Sequence, residues 1–228
     1  MTSSPEPHPP AAAGAQAHSR RGWLAAGAAA AAVALAAGSQ APRQPVARGA
    51  GAGPGRIPDV PLLTEAGRKV RLYSDLVKGR VVFLNMMYTQ CSERCPLMTQ
   101  SLKRVHEALG ARAGRDVFLY SVTLLPEYDR PADLRAYMDL NRIGPGWTFL
   151  TGAPADVERL RLGMGFADPD PAVDADIAQH TGLLRVGNDA LDRWCMTPIL
   201  QEPEWILETL MSVDPLTRAS GRWWATPA

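Results

Sequence analysis

The run Val81-Val82-Phe83-Leu84-Asn85-Met86-Met87-Tyr88 is apolar almost without interruption. A strand of that composition needs cover on both faces, so it belongs in the middle of a sheet layered by helices. Thr89 ends the run, Cys91 and Cys95 follow, and Pro96 opens a helical pattern in which Met98, Leu102, Val105 and Leu109 fall on one side. Gly110 or Gly114 closes that helix. Two thiols where a strand hands over to a helix face backbone N–H groups and the positive end of the helix dipole, which favour thiolate over thiol. Sulfurs so placed bind a thiophilic metal or exchange electrons as a disulfide. A locked structural bridge is the plain alternative, and the Cys-x3-Cys spacing does not decide among the three.

The rest of the chain supplies partners for that strand. Pro61–Thr64 and Lys69–Tyr73 read as a small hairpin turning through Gly67, with Ser74 and Asp75 leading into a short turn or helix. Val117–Leu125 is a second buried strand, and Pro131 opens a helix carrying Leu134, Tyr137, Met138 and Ile143. Trp147–Leu150 is a third strand. Thr151 to Pro154 start a helix with Val157, Leu160 and Leu162 apolar, closing at Gly163–Gly165. A polar loop from Asp168 to Gln179 leads to His180. Then come a hairpin of Leu183–Val186 and Leu191–Trp194 turning at Gly187-Asn188-Asp189, and a last helix from Pro203 to near Val213. Strands separated by helical segments predict a layered α/β domain.

With 228 residues and 46% hydrophobic content, the chain buries one ordinary core once its N-terminus is set aside. Residues 1–41 read as an export signal: a polar, Pro-rich start, then Ser19-Arg20-Arg21-Gly22-Trp23-Leu24, then a small-residue run from Ala25 to Ala37. The paired arginines are similar to a twin-arginine signal, and Ser39-Gln40-Ala41 offers a processing site. The apolar part, roughly 15 residues, is short of the ~20 a membrane span needs, so membrane attachment arises only if the segment stays uncleaved. Residues 42–56, rich in Pro and Gly, form a flexible linker, and residues 57–228 the folded domain in a periplasmic or other extracytoplasmic compartment. Export makes disulfides permissible, and three cysteines leave at least one unpaired in a monomer.

Residues 1–41 hold two of the 24 basic and one of the 23 acidic residues, so the remainder carries 22 of each and has no net charge. Without a basic stripe, nucleic acid is not a partner. Hydrolase and nucleotide chemistry lack their motifs: there is no Gly-x-Ser-x-Gly elbow, phosphate loop or His-Glu-x-x-His helix. Of four histidines, His8 and His18 lie in the signal. His106 falls off the apolar stripe of its helix and reads as a solvated surface residue. His180 stands at a loop-to-strand transition, where a side chain can lean over the adjacent strand end that carries the cysteines. A lone histidine is more often structural than a ligand, so the residues alone leave its role open. Met86, Met87, Met98, Met164 and Met196 read as core filling, Cys195 as a buried inert thiol after the second hairpin, and Asp168, Asp170, Asp174 and Asp176 as a solvated acidic loop.

Tyr88-Thr89-Gln90-Cys91-Ser92-Glu93-Arg94-Cys95-Pro96, the stretch Ser121 to Pro131, Trp147-Thr148-Phe149-Leu150-Thr151-Gly152 and His180, in that order, resemble the Sco/SenC family over about residues 57–213. The resemblance implies a thioredoxin-like central sheet flanked by helices, with an N-terminal β-hairpin. It also implies copper held by Cys91, Cys95 and His180, and delivery of copper to, or upkeep of the thiols of, a cytochrome c oxidase copper site. The partners so implied are an oxidase subunit or another copper-site protein, and a thiol reductant. Ser92 replaces the proline usual after the first cysteine, and Leu125 the aspartate usual before Pro-Glu. The second change removes a charge near the site, which bears on partner recognition or thiol tuning more than on ligation. The hairpin after His180 also looks abbreviated.

Two thiolates and an imidazole suit Cu(I), and with a weak axial group Cu(II) as well. Zinc in a closed site would call for a fourth ligand. The rival is an enzyme, a thiol–disulfide oxidoreductase in which Cys91 attacks and Cys95 resolves, with no need of a histidine.

Overall fold

A computed structural model describes residues 57–180 and 182–219. The export signal and linker, residues 1–41 and 42–56, lie outside the described residues. The strands are β1 (Pro61–Thr64), β2 (Lys69–Arg71), β3 (Val81–Met87), β4 (Val117–Thr123), β5 (Trp147–Gly152), β6 (Leu183–Asn188) and β7 (Arg193–Pro198). They form one seven-stranded sheet in the order β2-β1-β5-β4-β3-β6-β7. The central β3–β4 and β4–β5 pairs are parallel, and the flanking pairs antiparallel. The helices are α1 (Arg94–Leu109), α2 (Pro131–Asn141), α3 (Pro154–Gly163), α4 (Pro171–Asp174), α5 (Pro203–Val213) and α6 (Pro215–Ala219). None of the described helices is long and apolar enough to cross a membrane.

β3 has the two-faced burial its composition demands. Phe83 and Met87 join one core with residues of α1, α2 and α5, while Val82, Leu84 and Met86 join a second beneath α3 and a short helical turn at Leu72–Val77. Phe83 and Leu102 are almost wholly buried, so truncating either to Ala would cost about 3–4 kcal/mol. Polar Asn85 survives in this setting because Ser121 Oγ donates to its Oδ1 at 2.7 Å and Trp147 Nε1 donates to Ser121 Oγ at 2.9 Å. That chain satisfies three buried polar groups across β3, β4 and β5.

Several boundaries move, each for a local reason. β2 stops at Arg71, since Leu72 and Tyr73 already belong to the Leu72–Val77 turn. α1 begins at Arg94, two residues ahead of Pro96, because a first-turn proline gives up an N–H that has no partner within the helix anyway. β5 runs on to Gly152, which pairs with Leu62 of β1, and α3 starts only at Pro154. Ile143 lies beyond α2, which Arg142 ends in a left-handed conformation (φ 52°). On α3, Leu162 is 53% exposed while its neighbour Arg161 is buried, the reverse of their hydropathies. The second hairpin is longer than expected and bears Cys195 on β7 itself, because β6 pairs continuously with β3 from Asn85↔Leu184 to Val81↔Asn188. Gly187 lets Trp194 lie flat across that hairpin, since a Cβ there would come within 2.0 Å of the indole.

Parallel pairing brings the C-terminal ends of β3 and β4 together, and antiparallel β6 starts beside them. One end of the sheet therefore receives the cysteine loop, the loop after β4 and the segment before β6.

Candidate metal centre

β3 ends at Met87, and the cysteine loop that follows is fastened from beneath. Thr89 N–H donates to Asp129 Oδ2 at 3.0 Å, its hydroxyl donates to Oδ1 of the same carboxylate, and Thr123 Oγ1 donates to Oδ2 at 2.5 Å. Asp129 is fully buried, so these bonds hold the start of the loop to the end of β4. Asp129 lies within the Ser121–Pro131 stretch, where the sequence alone gives it no role.

Cys91 is half-buried in the loop and Cys95 fully buried in the first turn of α1, both as free thiols. The Cys95 N–H donates to Cys91 Sγ at 3.2 Å, and the Arg94 N–H also points at that sulfur. Burial pushes the Cys91 thiol up, yet these amides, the Cys95 thiol and the Tyr88 hydroxyl, all donating to its sulfur, bring it net below its ordinary value. Tyr88 is a further contributor that sequence reasoning missed. Cys95 is pushed up to about 12, first by burial and then by the bond it gives Cys91. The pair therefore holds one sulfur that ionises more readily than an ordinary thiol and one that keeps its proton until a metal or a disulfide displaces it.

The cysteine loop borders an open cavity of about 150 Å³ that Ala178 also lines. Arg94, between the two cysteines, donates from Nη1 to the Ala178 carbonyl at 2.9 Å. Ala178 belongs to the 3-10 turn Ile177–His180, so Arg94 links that turn to the cysteine loop. The His180 ring lies outside the described side chains. Among the described residues no three His, Cys, Asp or Glu side chains gather as a metal cluster, so the donor set on view is the dithiol alone. Its soft sulfurs fit a thiophilic ion such as copper.

Other expectations need correction. His106 is half-buried rather than solvated, because its Nε2 bonds the Pro145 carbonyl at 2.9 Å and its ring lies 6.0 Å from that of Trp147. Cys195 is half-buried, with Sγ 3.7 Å from the Val186 carbonyl, and burial raises its pKa. The acidic loop is folded rather than simply solvated. Asp170 caps α4 through the Ala172 N–H, Asp168 and Asp176 accept the N–H groups of Asp170 and Ala178, and Asp174 is ion-paired with Arg161. The methionines do fill core: Met86, Met87, Met98 and Met164 are buried and Met196 packs against the second core. Leu125, in place of the family's aspartate, is half-buried and donates its N–H to Thr123 Oγ1 at 2.9 Å.

A family model described as SCO1/SenC matches residues 61–184. The SCO1 protein homolog of Bacillus subtilis (strain 168) is 31% identical over 98 residues, which is 42% of this chain and 49% of that protein. The chain spans about half the length of the curated relatives it matches. Among solved structures, Bradyrhizobium japonicum ScoI with copper bound superposes with a TM-score of 0.53 at 23% identity, covering 69% of this chain and 99% of that one. BsSco, described as a member of the Sco family of cytochrome c oxidase assembly proteins and as having a disulfide switch, superposes with a TM-score of 0.55 at 24% identity, over 68% of this chain and 91% of that one. These likenesses establish the fold, a thioredoxin-like sheet flanked by helices.

Proposed function

This chain belongs to the SCO1/SenC family, and on that premise we propose that it is an exported copper-binding metallochaperone. It delivers copper to, or maintains the thiols of, a cytochrome c oxidase copper site. Copper is its cargo. Cys91 and Cys95 hold the ion as thiolates, and His180, carried on the turn beside them, is the third ligand. The observation that carries this reading is the Arg94–Ala178 bond, in which the side chain of a residue between the two cysteines holds the turn ending at His180.

Each protein group has a task in binding and release. The amides of Arg94 and Cys95 stabilise charge on Cys91 Sγ, so this sulfur meets an incoming ion first. Cys95 releases its proton on ligation, which couples uptake to pH and makes the reduced dithiol the competent form. Release proceeds by exchange of these ligands for a partner's. The reading of residues 1–41 as an export signal and of residues 42–56 as a linker supports a location outside the cytoplasm. Titrating the reduced chain with Cu(I) beside a Cys91→Ser variant tests the reading: binding of one ion by the parent, lost in the variant, supports it, and absence of binding in the parent removes it.

A second reading is favoured by the asymmetry of the thiols, the pattern a thiol–disulfide oxidoreductase uses. Cys91 thiolate attacks a partner disulfide, giving a mixed disulfide and one free partner thiolate. Cys95, deprotonated in the step, then attacks Cys91 Sγ and releases the second. The partner gains two electrons, the chain keeps a Cys91–Cys95 disulfide, and an external dithiol resets it.

A further inference from the structure

The segment from Asp168 to His180 crosses the site end of the sheet as a strap with little apolar fixing. α4, in its middle, buries no residue, and a cavity of about 310 Å³ lies between the strap, α3 and the loop after β4. What spans that gap is Arg161. Its side chain, 8% exposed, donates from Nη1 and Nη2 to Asp174 Oδ1 and Oδ2 at 2.7 and 2.9 Å. From Nε and Nη2 it donates to Glu158 Oε2 and Oε1 at 2.8 Å each. Two forked contacts on one planar guanidinium leave it a single orientation, so Asp174 cannot slide without breaking two charge-assisted bonds. Asp174 Oδ1 also accepts the Asp168 N–H at 2.7 Å, which closes the strap's first half on itself.

Burying the Arg161 guanidinium is costly, and stability alone is a weak reason to keep it, whereas fixing one register is a use such ion pairs do have. Four residues beyond Asp174, the Arg94–Ala178 bond takes hold of the same strap from the cysteine loop. We propose that Arg161 is a positioning residue for the copper site: by gripping Asp174 it fixes the Ile177–His180 turn against the cysteine loop, and thereby the backbone that carries the third ligand. The inference rests on the reading of His180 as a ligand. It does not apply to binding by the two sulfurs alone, so the copper capture that His180→Ala retains is spared when the clamp is cut.

The test compares the full reduced chain as parent, Asp174→Asn, His180→Ala and the double variant. Cu(II) affinity is read from the thiolate-to-copper charge-transfer band, and metal-free strap order from amide hydrogen exchange over residues 170–180. Asp174→Asn lowers Cu(II) affinity about tenfold, the scale on which supporting partners of a metal ligand act. In the His180→Ala background it costs nothing further, and in metal-free protein strap amides exchange about tenfold faster while β3 amides do not change. Arg161→Lys, which keeps the charge and loses the fork, reproduces the effect if Asp174→Asn folds poorly. An equal loss with and without His180, or unaltered strap exchange, overturns the proposal. A parent whose Cu(II) affinity ignores His180→Ala contradicts the proposed function instead, and the exchange arm alone then decides whether the clamp stands.

Discussion

The amide nitrogen of Cys95 lies 3.2 Å from Cys91 Sγ, so the peptide group of the buried cysteine supports charge on the sulfur of the accessible one. Four residues apart, the two thiols thus acquire opposite characters from one helix start.

That asymmetry sets the order of chemical modification. At pH 7 an alkylating reagent should label Cys91 first and alone, since Cys95 and Cys195 are both raised by burial. Tyr88→Phe removes one donor to Cys91 and should slow labelling about three- to tenfold, equivalent to up to about one pKa unit. Mass spectrometry of the single adduct checks both. Labelling of Cys95 ahead of Cys91 would contradict the assignment.

Cys95 also makes the reduced fold sensitive to alkali. Its folded pKa, about 12, lies above the unfolded value, so its contribution is complete below the unfolded pKa and is lost as pH rises toward 12. Across that window the unfolded chain gives up the proton first, and stability should fall by about 1.4 kcal/mol per pH unit from this group. The depressed Cys91 works the opposite way, adding stability above its unfolded pKa and losing it as pH falls through the folded one. Urea unfolding at pH 8 and pH 10 should show a decline that Cys95→Ala reduces. An unchanged slope in that variant would rule out the buried-thiol origin.

Asp129→Ala should destabilise the domain by about 3 kcal/mol, because it strands Thr89 and Thr123 donors in a buried site. The loss should appear in urea unfolding together with faster amide exchange at Thr89. A cost below about 0.5 kcal/mol would mean that water replaces the carboxylate there.

Gly187→Ala should lower stability by about 1–3 kcal/mol, since its methyl would collide with the Trp194 ring. Thermal unfolding measures it. Trp194→Ala in the same chain should recover part of the loss by making room.

The central sheet was legible because β3, β4 and β5 announce themselves as apolar runs, and the helices because residues such as Met98, Leu102 and Val105 recur at helical spacing. What sequence could not show was which polar residues leave the surface. Arg161 next to Leu162 reads as the exposed member of the pair, yet the arginine is buried because Glu158 and Asp174 both reach it. The acidic loop looked solvated partly for the same reason: Asp174 finds its partner, Arg161, on α3, brought near only by folding, while Asp168, Asp170 and Asp176 turn to N–H groups of the loop itself. Tyr88 and Asp129 were visible in the motif, but their roles depend on a sulfur and two threonines that converge only in three dimensions. The extent of the second hairpin followed from pairing with β3, which no local pattern in Leu183–Pro198 encodes.

X-ray absorption at the copper edge on the Cu(I)-loaded chain and on His180→Ala addresses the proposed centre most directly. Two sulfur scatterers and one imidazole nitrogen in the parent, with the nitrogen lost and both sulfurs kept in the variant, are expected. A parent spectrum with sulfur alone, or an imidazole contribution that persists in His180→Ala, would contradict a copper centre made of Cys91, Cys95 and His180.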